Sequence, residues 1–173
     1  MQNRVWRWLV VASLLMFGCG ASAQQLATMR NAHYRIGGAE LLELAGKSLR
    51  SPNQVVVWQP NGERKFVTAA HWFTPEGLRS QLRNDSNHPG SVKLAFVVST
   101  TDDAAGSMLT VTPIAFMHDA NAVKLWPLEP GRADWLPWID GKTDSLVEAI
   151  YHATKSYVVA ASSNATGTTA AQP

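Results

Sequence analysis

The chain has 173 residues, 15 Lys or Arg against 13 Asp or Glu, and a single cysteine, a length suited to one domain with its own core. Arg4 and Arg7 lie in the N-terminal export segment described next, so residues 24–173 carry 13 charges of each sign. That balance removes the electrostatic support that nucleic-acid binding requires.

Residues 1–23 read as a signal peptide: Arg4 and Arg7 form the positive start, Leu9 to Phe17 is an uncharged apolar run, and Ala21-Ser22-Ala23 before Gln24 is a small-x-small cleavage site. The run is shorter than the about 20 residues of a membrane span. A periplasmic or secreted protein with no transmembrane span after processing is therefore expected. The competing expectation is a membrane-anchored lipoprotein acylated on Cys19, although Phe17 is bulky for that processing site. Cleavage before Gln24 removes Cys19, so the mature domain has no disulfide and depends on its core.

The remaining chain divides into a single domain over 24–161 and a tail over 162–173, which is too poor in large apolar residues to order itself. Leu41, Leu42, Ala45 and Leu49 recur at helical spacing behind Gly37-Gly38, with Ser51-Pro52 as the stop. Val55 to Trp58 and Lys65 to Ala69 flank Pro60-Asn61-Gly62, a hairpin signal. Thr74-Pro75-Glu76 resembles a helix start, with Thr74 as cap, Pro75 at the first helical position and Phe73 stapled to Leu78, and it predicts a helix running through Leu82 to Asn84.

Val92 to Ser99 alternates and predicts a strand joined through residues 101–106 to a second over Leu109 to Met117, where Pro113 requires a bulge or an edge. Val123 to Leu128 is a third. The last helix carries the stripe Leu146, Ile150, Tyr157 and Ala161, filled in by Val147, Ala153 and Val158, with Asp144 as cap and Glu148, His152 and Lys155 turned outward. The predicted order α-β-β-α-β-β-β-α is an α+β domain: an antiparallel sheet of about five strands, a hairpin plus a three-strand meander, with three helices.

Charge is unevenly distributed. Gln24 to Lys93 holds nine basic residues against five acidic ones, and the chain from Leu94 onward holds four against eight. Separate faces would make the molecule a dipole, whereas interleaving of the two halves cancels it.

Few residues point to chemistry. Thr68-Ala69-Ala70-His71 resembles the histidine motif of chymotrypsin-like serine proteases over four residues, but the Gly-Asp-Ser-Gly nucleophile setting is absent, so a coincidence is expected. His33, His71, His88, His118 and His152 have none of the close spacings of a zinc site. Neither a metal nor another cofactor is expected, and no catalytic residue is assigned. Asp102 and Asp103 read as turn residues, and Glu148 with His152 as a solvated i,i+4 pair.

The anomaly is aromatic. Three of the chain's seven tryptophans fall with three prolines between Leu125 and Asp140, in a segment too proline-rich for a helix or a central strand. Rigid tryptophans serve interfaces, and they serve equally as a lid over a core. The leading expectation is binding to another envelope or secreted protein, in the manner of an inhibitor, immunity factor or accessory subunit, through Trp126, Arg132, Trp135, Trp138 and Asp140 together with the acidic C-terminal half. The alternative is a small hydrolase or glycan-binding protein in which His71, His118 and Asp119 converge while the tryptophans stack on sugar.

Overall fold

The computed structural model describes residues 21–49, 55–58, 64–80, 89–119 and 124–159, with the backbone alone for 55–58. Residues 1–20 of the expected signal peptide, the expected Asn61-Gly62 turn, Leu82 to Asn84 and residues 162–173 lie outside the described residues.

The chain is an α+β domain whose sheet is antiparallel throughout, as the alternating runs predict. Its spine is a long hairpin of β5 (Val92–Asp103) and β6 (Gly106–His118), in register from Val92↔Met117 to Asp103↔Gly106. Only Ala104 and Ala105 connect them, and Gly106 takes φ +134°, a conformation that suits glycine. The hairpin is therefore longer, and its loop shorter, than the composition of residues 101–106 suggests.

The outer strands are β1 (His33–Tyr34), β2 (Val55–Trp58), β3 (Arg64–Val67), β4 (His71–Phe73) and β7 (Leu125–Leu128). Around the hairpin the sheet order is β1-β6-β5-β3-β2, with β4 also on β5 and β7 also on β6. Strands from the basic first half thus flank the hairpin of the second half on both sides, so the two halves interleave.

Pro113 sits opposite Phe96. Phe96 exchanges its backbone bonds with Thr68, donating to Thr68 Oγ1 at 3.0 Å and accepting from Thr68 N–H at 2.9 Å. The Phe96–Pro113 pair is consequently not hydrogen-bonded, and the missing Pro113 donor points to the far side of β6. There β1 pairs only at 107–108 and β7 only at 115–118, so the proline occupies an edge position.

Among the described residues three helices accompany the sheet: α1 (Ala23–Arg30), α2 (Gly38–Ser48) and α3 (Pro137–Thr154). Leu41, Leu42 and Ala45 of α2 join Phe66, Val98, Leu109, Tyr34 and Ile150 in one core cluster. A second cluster, Phe73, Val92, Leu94, Ala115, Leu128 and Ile139, lies under the start of α3.

The helices differ from the sequence reading in three places. Residues 74–80 do not begin a helix. Gly77 N–H bonds to the Thr74 carbonyl, Thr74 N–H to the Leu78 carbonyl, Ser80 N–H to the Trp72 carbonyl, and Phe73 bridges Arg79. Thr-Pro-Glu-Gly is a tight turn, and Gly77 at φ +83° supplies the left-handed residue that follows it. The same residues cap helices and make turns, and the glycine decides between them.

The last helix starts at Pro137, seven residues before Asp144, so Asp144 is not its cap; it pairs instead with Arg30 of α1. The proline-rich segment thus feeds a helix directly, because Pro137 takes the first turn, where its missing N–H costs nothing. The buried face is Ile139, Thr143, Val147, Ile150 and Thr154, while Ala153 is exposed. Both threonines satisfy their hydroxyls on the carbonyl four residues back. The helix ends at Thr154 in a short 3-10 turn, Lys155–Tyr157, after which Val158 bridges Tyr34.

Helix α1 has no counterpart in the sequence reading. Ser22 and Gln25 form a capping box at its start, yet none of its residues is buried, so it carries no apolar stripe to detect.

Candidate functional site

Side chains alternate across the sheet, and among the described residues helices cover one of its faces. Val92, Leu94, Phe96 and Val98 of β5 and Leu109, Val111, Ala115 and Met117 of β6 face the helices. The opposite face presents Lys93, Ala95, Val97, Ile114, Phe116 and His118, and no described helix packs on it.

A bulge shapes this second face. Val67 pairs Val97 and His71 pairs Leu94, so three residues, Thr68 to Ala70, oppose two, Ala95 and Phe96. The extra residue resets the alternation so that Phe66 and Phe73, an odd number of residues apart, both enter the core. This is the structural use of the Thr68-Ala69-Ala70-His71 motif. The bulge also sets two small side chains, Ala70 and Ala95, side by side on the open face.

Larger side chains rise around them. A cavity of about 190 Å³ is lined by Ala70, Lys93, Ala95, Ile114, Phe116 and Leu125. Across its floor the register aligns Trp72, Lys93, Phe116 and Pro127 on four neighbouring strands. Lys93 sends its Nζ over the Trp72 ring, 6.0 Å from the centroid, and has no carboxylate partner among the described residues. Strand residues 64–67, 71–73, 92–101, 107–118 and 125–128 contain no Asp or Glu at all. Lys65 lies on the same face, opposite Ser99.

The sequence-predicted binding residues divide into two groups. Trp126 stands at the sheet edge, 53% exposed, with its indole N–H on Asp119 at 3.2 Å. Arg132 is exposed and pairs with Glu129 at 3.1 Å, and that carboxylate raises its pKa. Trp135 and Trp138 instead pack against the second core cluster. Trp135 donates to the Asp140 carboxylate at 3.0 Å and Trp138 to the Pro75 carbonyl at 2.8 Å. Trp138 also lies 5.4 Å from the Phe73 ring. These two rings close over the core at the start of α3, each with its polar tip satisfied.

His71, His118 and Asp119 are not brought together. By register His71 belongs to the helix-facing side at the β4 edge, and His118 to the open side at the end of β6. The Arg79 guanidinium lies 3.1 Å from His71 Nδ1, and partial burial, assisted by that cation, lowers the imidazole pKa. His118 Nδ1 is buried with no hydrogen-bond partner among the described residues. No group of three or more His, Cys, Asp or Glu side chains among the described residues could hold a metal ion.

The remaining acidic residues singled out in the sequence act in the fold. Asp102 reaches from the hairpin to the start of α2, accepting the Gly38 N–H at 2.9 Å and the Ser107 hydroxyl at 2.5 Å. It supplies the anionic cap that Gly37 lacks. Asp103 accepts the Ala105 N–H and stands 3.2 Å from His33 Nε2. Glu148 and His152 form the expected solvated pair at 3.6 Å.

The cavity residues were missed in the sequence because each reads as ordinary strand alternation. The signal that could have found them is that both faces of β5 and β6 are apolar at one end: Ala95, Val97, Ile114 and Phe116 are too greasy for the water-facing side of a two-layer domain. No known protein family matches the chain, and no curated protein shows significant similarity to it.

Proposed function

We propose that this is an exported protein, cut between Ala23 and Gln24, that acts by binding another protein through the face of its sheet opposite the helices. The observation that carries the reading is the apolar cavity on that face, lined by Ala70, Lys93, Ala95, Ile114, Phe116 and Leu125. An apolar recess on an otherwise finished two-layer domain marks an interaction site, since the core beneath is already closed by α2 and α3. The Trp-Pro segment contributes Leu125 to the recess; Trp126, paired with Met117, belongs by register to the helix-facing side of β7, and Trp135 and Trp138 hold the scaffold. The hydrolase alternative finds no support in a histidine pair divided between opposite faces.

Affinity capture from an envelope extract with the mature domain tests this. A partner retained by the wild type and lost with Phe116→Asp, at an unchanged melting temperature, is the expected result. A partner that binds both proteins equally would remove this face from the function.

A further inference from the structure

The character of the recess also limits what can occupy it. Its volume, about 190 Å³, lies below the roughly 300–1,000 Å³ of small-molecule sites and suits one inserted side chain, the anchor of a protein contact. The lining is aliphatic and aromatic apart from Lys93. The Lys93 stem covers apolar surface while its ammonium, over Trp72, has no anion to neutralise it among the described residues.

Resting on the binding reading above, we propose that the cavity takes one large apolar side chain, Phe, Trp or Leu, from a partner segment that also carries a carboxylate placed to meet Lys93. Charge complementarity selects this occupant. The strand residues of the sheet carry no acid outside the Asp102–Asp103 end of the hairpin, and Lys65 adds a second cation to the open face. A second copy of the chain is disfavoured because a two-fold contact would set Lys93 and Lys65 against their own like charges. An anionic membrane is disfavoured because two lysines beside a recess fall short of the clusters of about 4–8 that hold such surfaces.

The experiment is selection of a random phage-displayed peptide library on the mature domain, followed by binding measurements with the selected peptides. Peptides pairing Asp or Glu with Phe, Trp or Leu are expected. Ala95→Leu, which fills the recess without touching the core face, should weaken them about tenfold or more, and Lys93→Glu likewise. Replacing the peptide carboxylate by lysine should restore binding to Lys93→Glu. Melting curves confirm that both variants are folded.

Selected peptides without acidic residues, or with equal affinity for Lys93→Glu, overturn the charge assignment while a loss in Ala95→Leu keeps the face as the site. Indifference to Ala95→Leu overturns the face itself, and so does a selection that yields no binder. Binding to phosphatidylglycerol vesicles, or a dimer dissolved by Lys93→Glu, would assign Lys93 to a membrane or to self-association and overturn the proposal.

Discussion

Trp138 covers Gly77 so closely that a side-chain carbon there would stand 2.7 Å from the indole ring, and the same indole bonds the Pro75 carbonyl at 2.8 Å. The β4 turn and the first turn of α3 are thereby locked together. Gly77→Ala should cost about 1–3 kcal/mol, because alanine resists φ +83° and also collides with the ring. Trp138→Ala should cost roughly 3 kcal/mol, since it opens the second core cluster and strands no buried donor. Denaturant unfolding measures both. Two near-neutral variants would mean that the turn and the helix are not coupled.

That lock also shows where the sequence was legible. Alternation located β5 and β6, and helical spacing located α2 and, through Val147 and Ile150, part of the buried side of α3, because burial of one face imposes a period; Ala153 of that stripe is exposed and Tyr157 lies past the helix end. Thr74-Pro75-Glu76-Gly77 reads as a helix start because its residues serve a helix start and a turn equally well locally; Gly77 at φ +83° makes the turn, and the ring packed over it comes from Trp138, 61 positions away in sequence. Asp102 was taken for a turn residue for the same reason, since its partner Gly38 belongs to a distant helix. Of the proposed site, Leu125 belongs to the segment that stands out for its tryptophans, whereas Ala70 and Ala95 carry no chemical signature and gain their role from a bulge.

Asp102 should be worth more than its place in a hairpin suggests. Its carboxylate caps α2 and shares the buried Ser107 hydroxyl with the Ile36 carbonyl, so Asp102→Ala should destabilise by about 1–2 kcal/mol, the usual loss for an N-cap. The neighbouring Asp103→Ala, exposed and bonded to its own turn, should cost under about 0.5 kcal/mol. Equal losses from the two would show that the cap does not hold α2 in solution.

Helix α3 supplies a direct check on the core face. Ile150, 1% exposed and packed against α2, should cost about 2–5 kcal/mol when cut to alanine. Glu148→Ala removes only a solvated pair with His152 and should cost under about 0.5 kcal/mol.

His71 gives a pH signature. Its pKa lies below the ordinary 6.5, through partial burial first and the Arg79 charge second. The unfolded chain then takes up a proton before the folded one does, so stability should fall as pH drops through 6.5 and level off below the folded value. His71→Gln should flatten that part of the profile. In an NMR titration the His71 midpoint should lie below 6.5 and rise when Arg79 becomes Gln. A midpoint unmoved by Arg79→Gln would show that the guanidinium does not reach the ring in solution.

Trp126 belongs neither to the recess nor to the packed scaffold. Its ring is 53% exposed, with one bond to Asp119, whereas Trp135 and Trp138 both pack on the second cluster. Acrylamide should quench a variant retaining only Trp126 more strongly than variants retaining only Trp135 or Trp138. Trp126→Ala should change stability by under about 0.5 kcal/mol, because it leaves no cavity and Asp119 stays in water's reach. The same substitution should leave partner binding unchanged, because Trp126 pairs Met117 and belongs to the helix-facing side of β7, away from the recess. Trp135→Ala should lower the melting temperature while the folded fraction binds normally. A Trp126 variant that binds the partner about tenfold more weakly than the wild type would extend the contact beyond the recess face to the β7 edge.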